Sequence, residues 1–330
     1  MQRLAGVLLT LAALGVAGWG ALLLWFAGPG PAWLRAALAA AAVVGALGAR
    51  FAVRPLGRSA LAVAGVLALL LVFWSSLRPS HGRVWQPDVA RLATATIEGD
   101  RVIVENVRNF HYRSETDYDP SWETRSYDLG RLDGLDLYTS DWGAPGVVHT
   151  ILSWRFEDAP PLAISIETRK EEGEAYSALA GFFRQYELVY VAADERDVIR
   201  LRTDFRKEEV RLYPLRVTRE RARDLLLDYL ATMNAMAREA RWYNALTTNC
   251  TTTIRTHTGH LGAAGAWSWK LLANEYLDEL LYERGLLDTG LPLERLREAS
   301  RVGERARAAG AGADFRPPGS GPGRPASAPP

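Results

Sequence analysis

The first 78 residues hold six arginines and not a single aspartate or glutamate. Within that region, Leu4–Ala27 is an uncharged apolar run long enough to cross a bilayer core, which takes about 20 helical residues. It exceeds the apolar region of about 7–15 residues found in a cleaved signal peptide. Ser59–Leu77 repeats the pattern and ends beside Phe73-Trp74. Between them, Ala36–Ala49 is uncharged but short, and it becomes a span if Trp33 and Phe51 mark the interfaces while Arg35 and Arg50 snorkel outward. The loop Gly28–Ala32 carries no charge, whereas Arg50, Arg54 and Arg58 crowd the next one. Positive residues stay on the cytoplasmic side, so three spans over residues 1–78 place the rest of the chain across the membrane.

That remainder is a different polymer. The chain as a whole has 39 Lys and Arg against 38 Asp and Glu. Because all the acids lie after residue 78, the exported part is net negative, and with no basic run it offers no footprint for nucleic acid. A lone cysteine, Cys250, excludes an internal disulfide and a multi-cysteine zinc site, so its thiol is either a small buried hydrophobe or a nucleophile. Residues 79–88 (PSHGRVWQPD) read as a linker.

Alternating patterns then suggest strands at Ala90–Glu98, Asp100–Asn109, Trp122–Leu129, Leu135–Trp142, Val147–Phe156, Leu162–Thr168, Glu187–Ala193, Asp197–Thr203 and Glu208–Leu215, with Glu98-Gly99-Asp100 a hairpin turn. Helices are expected over Arg219–Ala240, from Cys250, and over Trp269–Arg284, and Trp142 and Trp154 are expected in the core. Strands first and helices afterwards give an α+β domain over 89–302 around a large antiparallel sheet. Residues 303–330, rich in Gly, Ala, Arg and Pro, read as a disordered tail.

Chemistry concentrates in Trp242–Ile254, WYNALTTNCTTTI. Asn249 reads as an N-cap, which puts Cys250 in the first turn of a helix, where unpaired backbone N–H groups favour a thiolate. A thiol catalyst needs an imidazole within reach. His257 and His260 follow Cys250 on the same helix at about 10 Å and about 15 Å, too far to pair with the sulfur, and read as exposed helix residues without a third metal ligand. His81 lies in the linker and His111 in a strand or turn. His149 stands at the start of an apolar strand after Gly-Ala-Pro-Gly, and the neighbouring strand offers Ser165 and Glu167 on one face to hold its second nitrogen. The alternative for Glu167 is a surface ion pair with Arg169 or Lys170.

Histidine on a strand, then a polar strand partner, then cysteine at a helix start resembles the circularly permuted papain-like group that includes lecithin retinol acyltransferase. The runs HYRSETDYDPSWETRSYDL, SDWG…HTILSW, ISIETRKEEGEAYSALAGFFRQYEL and WYNALTTNCTTTIR, in order over His111–Arg255, resemble the Lnb N-terminal periplasmic domain family of bacteria. The resemblance implies a domain on the periplasmic side of the inner membrane. The family's named member is a lipoprotein N-acyltransferase, and the motifs carry its cysteine onto Cys250 and its histidine onto His149. The expectation is therefore a cysteine acyltransferase or hydrolase with Cys250, His149 and Glu167 at its centre, without metal or organic cofactor, acting on a phospholipid or lipoprotein-like substrate. A cell-wall peptidase or amidase using the same residues, or a non-catalytic envelope-binding domain with Cys250 simply buried, are the alternatives.

Overall fold

The computed structural model describes residues 1–263 and 265–303, so the expected disordered tail beyond Gly303 lies outside the described residues. The chain forms two compact units. The first comprises Met1–His81 with Ala175–Glu187 and Trp242–Ala245, and the second Gly82–Glu174, Leu188–Arg241 and the chain from Leu246 on.

The first unit is built on α1 (Gln2–Ala27), α2 (Ala32–Phe51) and α3 (Leu56–Ser76), three helices long and apolar enough to cross a membrane. The short middle run is thus a full helix. Small residues let the three approach closely: a Cβ on Gly20 would meet the Leu70 side chain at 2.5 Å. Arg50, expected to snorkel outward, instead turns onto α1, where Nε donates to Thr10 Oγ1 at 2.8 Å and Nη2 to the Gly6 carbonyl at 3.1 Å. A guanidinium among apolar helices needs such acceptors. The Ala175–Glu187 segment belongs to this unit through Phe183, stacked on Phe26, and Arg184, which lies over Trp74 and donates to its carbonyl at 2.6 Å.

The second unit is α+β. Its strands are β1 (Thr94–Glu98), β2 (Arg101–Arg108), β3 (His111–Tyr112), β4 (Tyr118–Asp119), β5 (Trp122–Asp128), β6 (Leu132–Asp141), β7 (His149–Phe156), β8 (Leu162–Arg169), β9 (Glu187–Asp194) and β10 (Glu209–Pro214). The main sheet runs β1-β2-β9-β8-β7-β6-β10, with β5 also on β2 and β3–β4 a separate hairpin. Gly99, at φ +64°, makes the tight β1–β2 turn. The expected antiparallel sheet is corrected at β2 and β9, which pair in parallel, Arg108 opposite Ala193.

A second correction concerns Asp197–Thr203, which is helix and not strand. The Asp194 side chain accepts from the Arg196 N–H, and Glu195 and Asp197 occupy the first turn of α4 (Glu195–Arg200), which runs on into a π-turn over Leu201–Phe205. The remaining helices are α5 (Arg219–Arg238), capped by Thr218, α6 (Cys250–His260), α7 (Leu277–Glu283) and α8 (Leu293–Ala299).

Side-chain alternation sorts the two faces of the sheet. Ile151, Ala163, Val189, Val191, Val210 and Leu212 pack with Val198 and Ile199 of α4 on one face. On the other, Trp154 and Tyr190 meet Tyr229 of α5, and Trp154 Nε1 donates to the Ala222 carbonyl at 2.8 Å. Trp154 is the expected core anchor, whereas Trp142 is 41% exposed.

Beneath α4 the Arg108 guanidinium donates to Asp197 Oδ1 at 2.9 and 2.7 Å, and the Phe110 N–H donates to Oδ2 at 2.7 Å, all buried. Asp197→Ala strands a buried cation and should cost about 3–5 kcal/mol, read as a lowered denaturant midpoint for the second unit. Arg108 would tolerate the loss only if water reached it, in which case the midpoint would hardly move.

Candidate functional site

Helix α6 begins at Cys250 because Asn249 caps it. Asn249 Oδ1 accepts from the Thr252 N–H at 2.8 Å while the Asn249 N–H donates to Thr252 Oγ1 at 3.1 Å, a reciprocal capping box. The thiol is thereby fixed among the free N–H groups of a helix start. It is nearly buried, at 8% exposure. Around Sγ lie the Val148 carbonyl at 4.0 Å, Thr251 Oγ1 at 3.9 Å and Asn274 Nδ2 at 3.9 Å.

Asn274 is a residue that the sequence reading missed, having placed it inside a continuous helix. The chain instead breaks there into short 3-10 turns, Trp269–Leu271 and Asn274–Tyr276, before α7. Its buried carboxamide accepts from the Val148 N–H at 2.8 Å and donates to the Val148 carbonyl and to Thr251 Oγ1, each at 2.7 Å. Glu275 extends the clamp, its Oε2 accepting from the Gly146 N–H at 2.9 Å. A polar residue amid LLANEYLDELL was the one available signal.

His149 opens β7, and both expected partners are present. Its Nε2 lies 2.7 Å from Ser165 Oγ, and Ser165 donates to Glu167 Oε1 at 2.7 Å. Glu167 itself is 3.8 Å from Nε2 and acts through the serine. Its ion-pair partner is neither Arg169 nor Lys170 but Arg202, at 3.1 Å, presented by the π-turn after α4. An ionised carboxylate can only accept, so the serine proton points to Glu167 and Oγ receives Nε2–H. This assignment from the network leaves the lone pair on Nδ1, which takes no hydrogen bond among the described residues.

Burial first, and the Arg202 guanidinium second, push the His149 pKa down to about 3 against the pull of Glu167. Burial alone would raise Glu167, but Arg202, His149 and Arg108 overcome it and hold the carboxyl well below its ordinary range. His149 is thus a neutral base, not an imidazolium.

The expected hydrogen bond between Cys250 and His149 is not formed. Alternation gives the reason: His149 shares the phase of Ile151, and Ser165 sits opposite Ile151, so the imidazole lies on the α4 face. Helix α6 packs on the other face, where His257 contacts Tyr190 and Tyr229. The sulfur meets instead the carbonyl of the residue before His149, one peptide unit away. His257, expected exposed, is buried, and His111 is exposed in the small β3–β4 hairpin. The solvent face of α6, away from Cys250, borders an open groove of about 460 Å³ flanked by Thr252, Thr256, Leu246, Trp267 and Leu272.

The stretch that holds Cys250, His149, Ser165, Glu167, Arg202 and Asn274 was compared with known families. Residues 118–274 match the Lnb N-terminal periplasmic domain. Comparison with curated proteins and with solved structures finds no match. The family match, together with three N-terminal helices long and apolar enough to span, fits a membrane-anchored protein with a periplasmic domain.

Two outcomes follow for this domain. Asn274→Ala unpairs the buried Val148 peptide and should cost about 1–3 kcal/mol in denaturant stability, with faster alkylation of Cys250 than in the wild type. His149 refuses a proton that the unfolded chain takes up below its ordinary pKa of about 6.5, so stability is full above that value and falls as pH drops toward 3. His149→Gln should flatten this part of the melting-temperature profile; an unchanged profile would show that His149 does not titrate this way.

Proposed function

We propose that the periplasmic domain is a cysteine-dependent acyltransferase or hydrolase in which Cys250 is the nucleophile and His149 the base. The observation that carries this reading is an Nδ1 lone pair on the neutral His149, whose other nitrogen is held by Ser165 and Glu167, one peptide unit from a thiol at a capped helix start. Nδ1 would take the thiol proton as sulfur attacks an acyl ester or amide carbonyl, and N–H groups at the start of α6 would receive the developing oxyanion. His149 would return the proton to the leaving group. An amine or water would then release the acyl group.

Because Nε2 is engaged on the α4 face and α6 packs on the other, the reaction requires the imidazole to leave Ser165 and turn about the start of β7 toward the sulfur when substrate enters. A chain carrying its own membrane helices supports an acyl substrate drawn from lipid and passed to a lipoprotein-like acceptor.

One observation favours a second reading. A nearly buried sulfur without an imidazole contact also suits a non-catalytic domain that binds envelope proteins.

The full chain in detergent, incubated with acyl-labelled phospholipid, should acquire a label cleaved by neutral hydroxylamine, lost in Cys250→Ser and strongly reduced in His149→Ala. Absence of label in the wild type would leave the binding reading. With His149 neutral down to about pH 3, the acid limb of the acylation rate should lie well below the usual histidine value of about 6.5.

A further inference from the structure

At the far end of α6 from Cys250, three potential metal ligands converge from two helices. Asp228 of α5 offers Oδ2, which lies 2.6 Å from His257 Nδ1 and 3.0 Å from His260 Nδ1. All three ligand atoms fall within 4.8 Å of one another. The spacing i, i+3 puts both imidazoles over one turn of the helix, and the carboxylate from α5 supplies the third donor that the sequence alone did not reveal.

We propose that Asp228, His257 and His260 form a binding site for a divalent transition cation of the zinc class. Two imidazoles and one carboxylate are the donor set that such ions accept, whereas calcium and magnesium require oxygen. Tetrahedral bonds of about 2.0–2.2 Å set ligand atoms about 3.3–3.6 Å apart, so the 2.6 Å contact of His257 with Asp228 would open by up to about 1 Å.

A separate observation points the same way. The outer nitrogen of His257, Nε2, lies 2.6 Å from the buried Tyr190 hydroxyl, and the ring stacks on Tyr229 at 3.9 Å. With a cation on Nδ1, the ring proton resides on Nε2 and is donated to the Tyr190 oxygen, the outer-sphere arrangement typical of metal-bound histidine. The neutral ring keeps its single proton, which moves from Nδ1 to Nε2 as the cation takes the Nδ1 lone pair. His260, 54% exposed at its side chain, and the partly exposed Asp228 leave a fourth position open to water. Cys250 lies about 10 Å away along the helix, too far to be a ligand. The ion would fasten α5 to the last turn of α6 and so fix the helix whose first residue is Cys250.

The proposal does not depend on the acyl-transfer reading and is tested without it. Untagged full-length protein in detergent, stripped with a chelator, is titrated with zinc, and bound metal is counted after gel filtration alongside the melting temperature. The wild type and Cys250→Ser should each retain one zinc per chain and melt at a higher temperature with it. His260→Ala, at an exposed position that the fold does not need, and Asp228→Asn should lose affinity by more than the ~10–100-fold that removal of an outer-sphere partner brings. No stoichiometric zinc in the wild type, or the same binding in His260→Ala, would overturn the proposal and leave a hydrogen-bonded Asp-His-Tyr chain.

Discussion

A single carboxamide joins the two halves of the candidate site. Cys250 and Val148 are 102 residues apart in the chain, and Asn274 is 126 residues from Val148. Asn274 treats the Val148 peptide as a neighbouring strand would, accepting from its N–H and donating to its carbonyl, while its remaining donor holds Thr251. An apolar residue of similar size would bury that peptide unpaired, a penalty that packing alone does not offset. The spacing between the sulfur and the start of β7 follows from this one contact.

On the other face of the sheet the dominant constraint is charge. Arg202 on its π-turn neutralises Glu167, Glu167 orients Ser165, and Ser165 decides which imidazole nitrogen keeps the proton. Buried ion pairs contribute little net stability once desolvation is counted. What they provide here is direction: a carboxylate that this guanidinium keeps ionised, beside a histidine kept neutral by burial first and by the same guanidinium second. An irregular helical turn at that spot is a common device for aiming a side chain that a regular helix would point elsewhere.

Much of this was legible in one dimension. Hydropathy exposes α1 and α3 because a bilayer imposes length and charge on the sequence itself, and alternation exposes β7 and β8 together with the shared face of His149, Ser165 and Glu167. Asn249 announced the start of α6 through a local cap. The misreadings arose where the deciding partner is remote. Asp197–Thr203 reads like a strand because its apolar Val198, Ile199 and Leu201 are interleaved with Arg200 and Arg202 in a run too short to show a helical period, and the Asp194 cap is the local signal that distinguishes the two. Asn274 looks like an ordinary helix residue until its peptide partner is known. Which side of the sheet α6 covers depends on a crossover that no local pattern encodes, so the missing contact between sulfur and imidazole was out of reach.

The position of β9 between β2 and β8 bears on how the domain is made. The β1–β2 hairpin and the β6–β7–β8 meander are local and close quickly, yet they are joined only by a strand synthesised some eighty residues after β2. A chain emerging amino-terminus first across a membrane therefore carries two half-sheets with bare apolar edges until residues 187–194 arrive. High sequence separation makes that closure slow. Exposed edges on a waiting intermediate invite strand-to-strand association until β9 fills the gap.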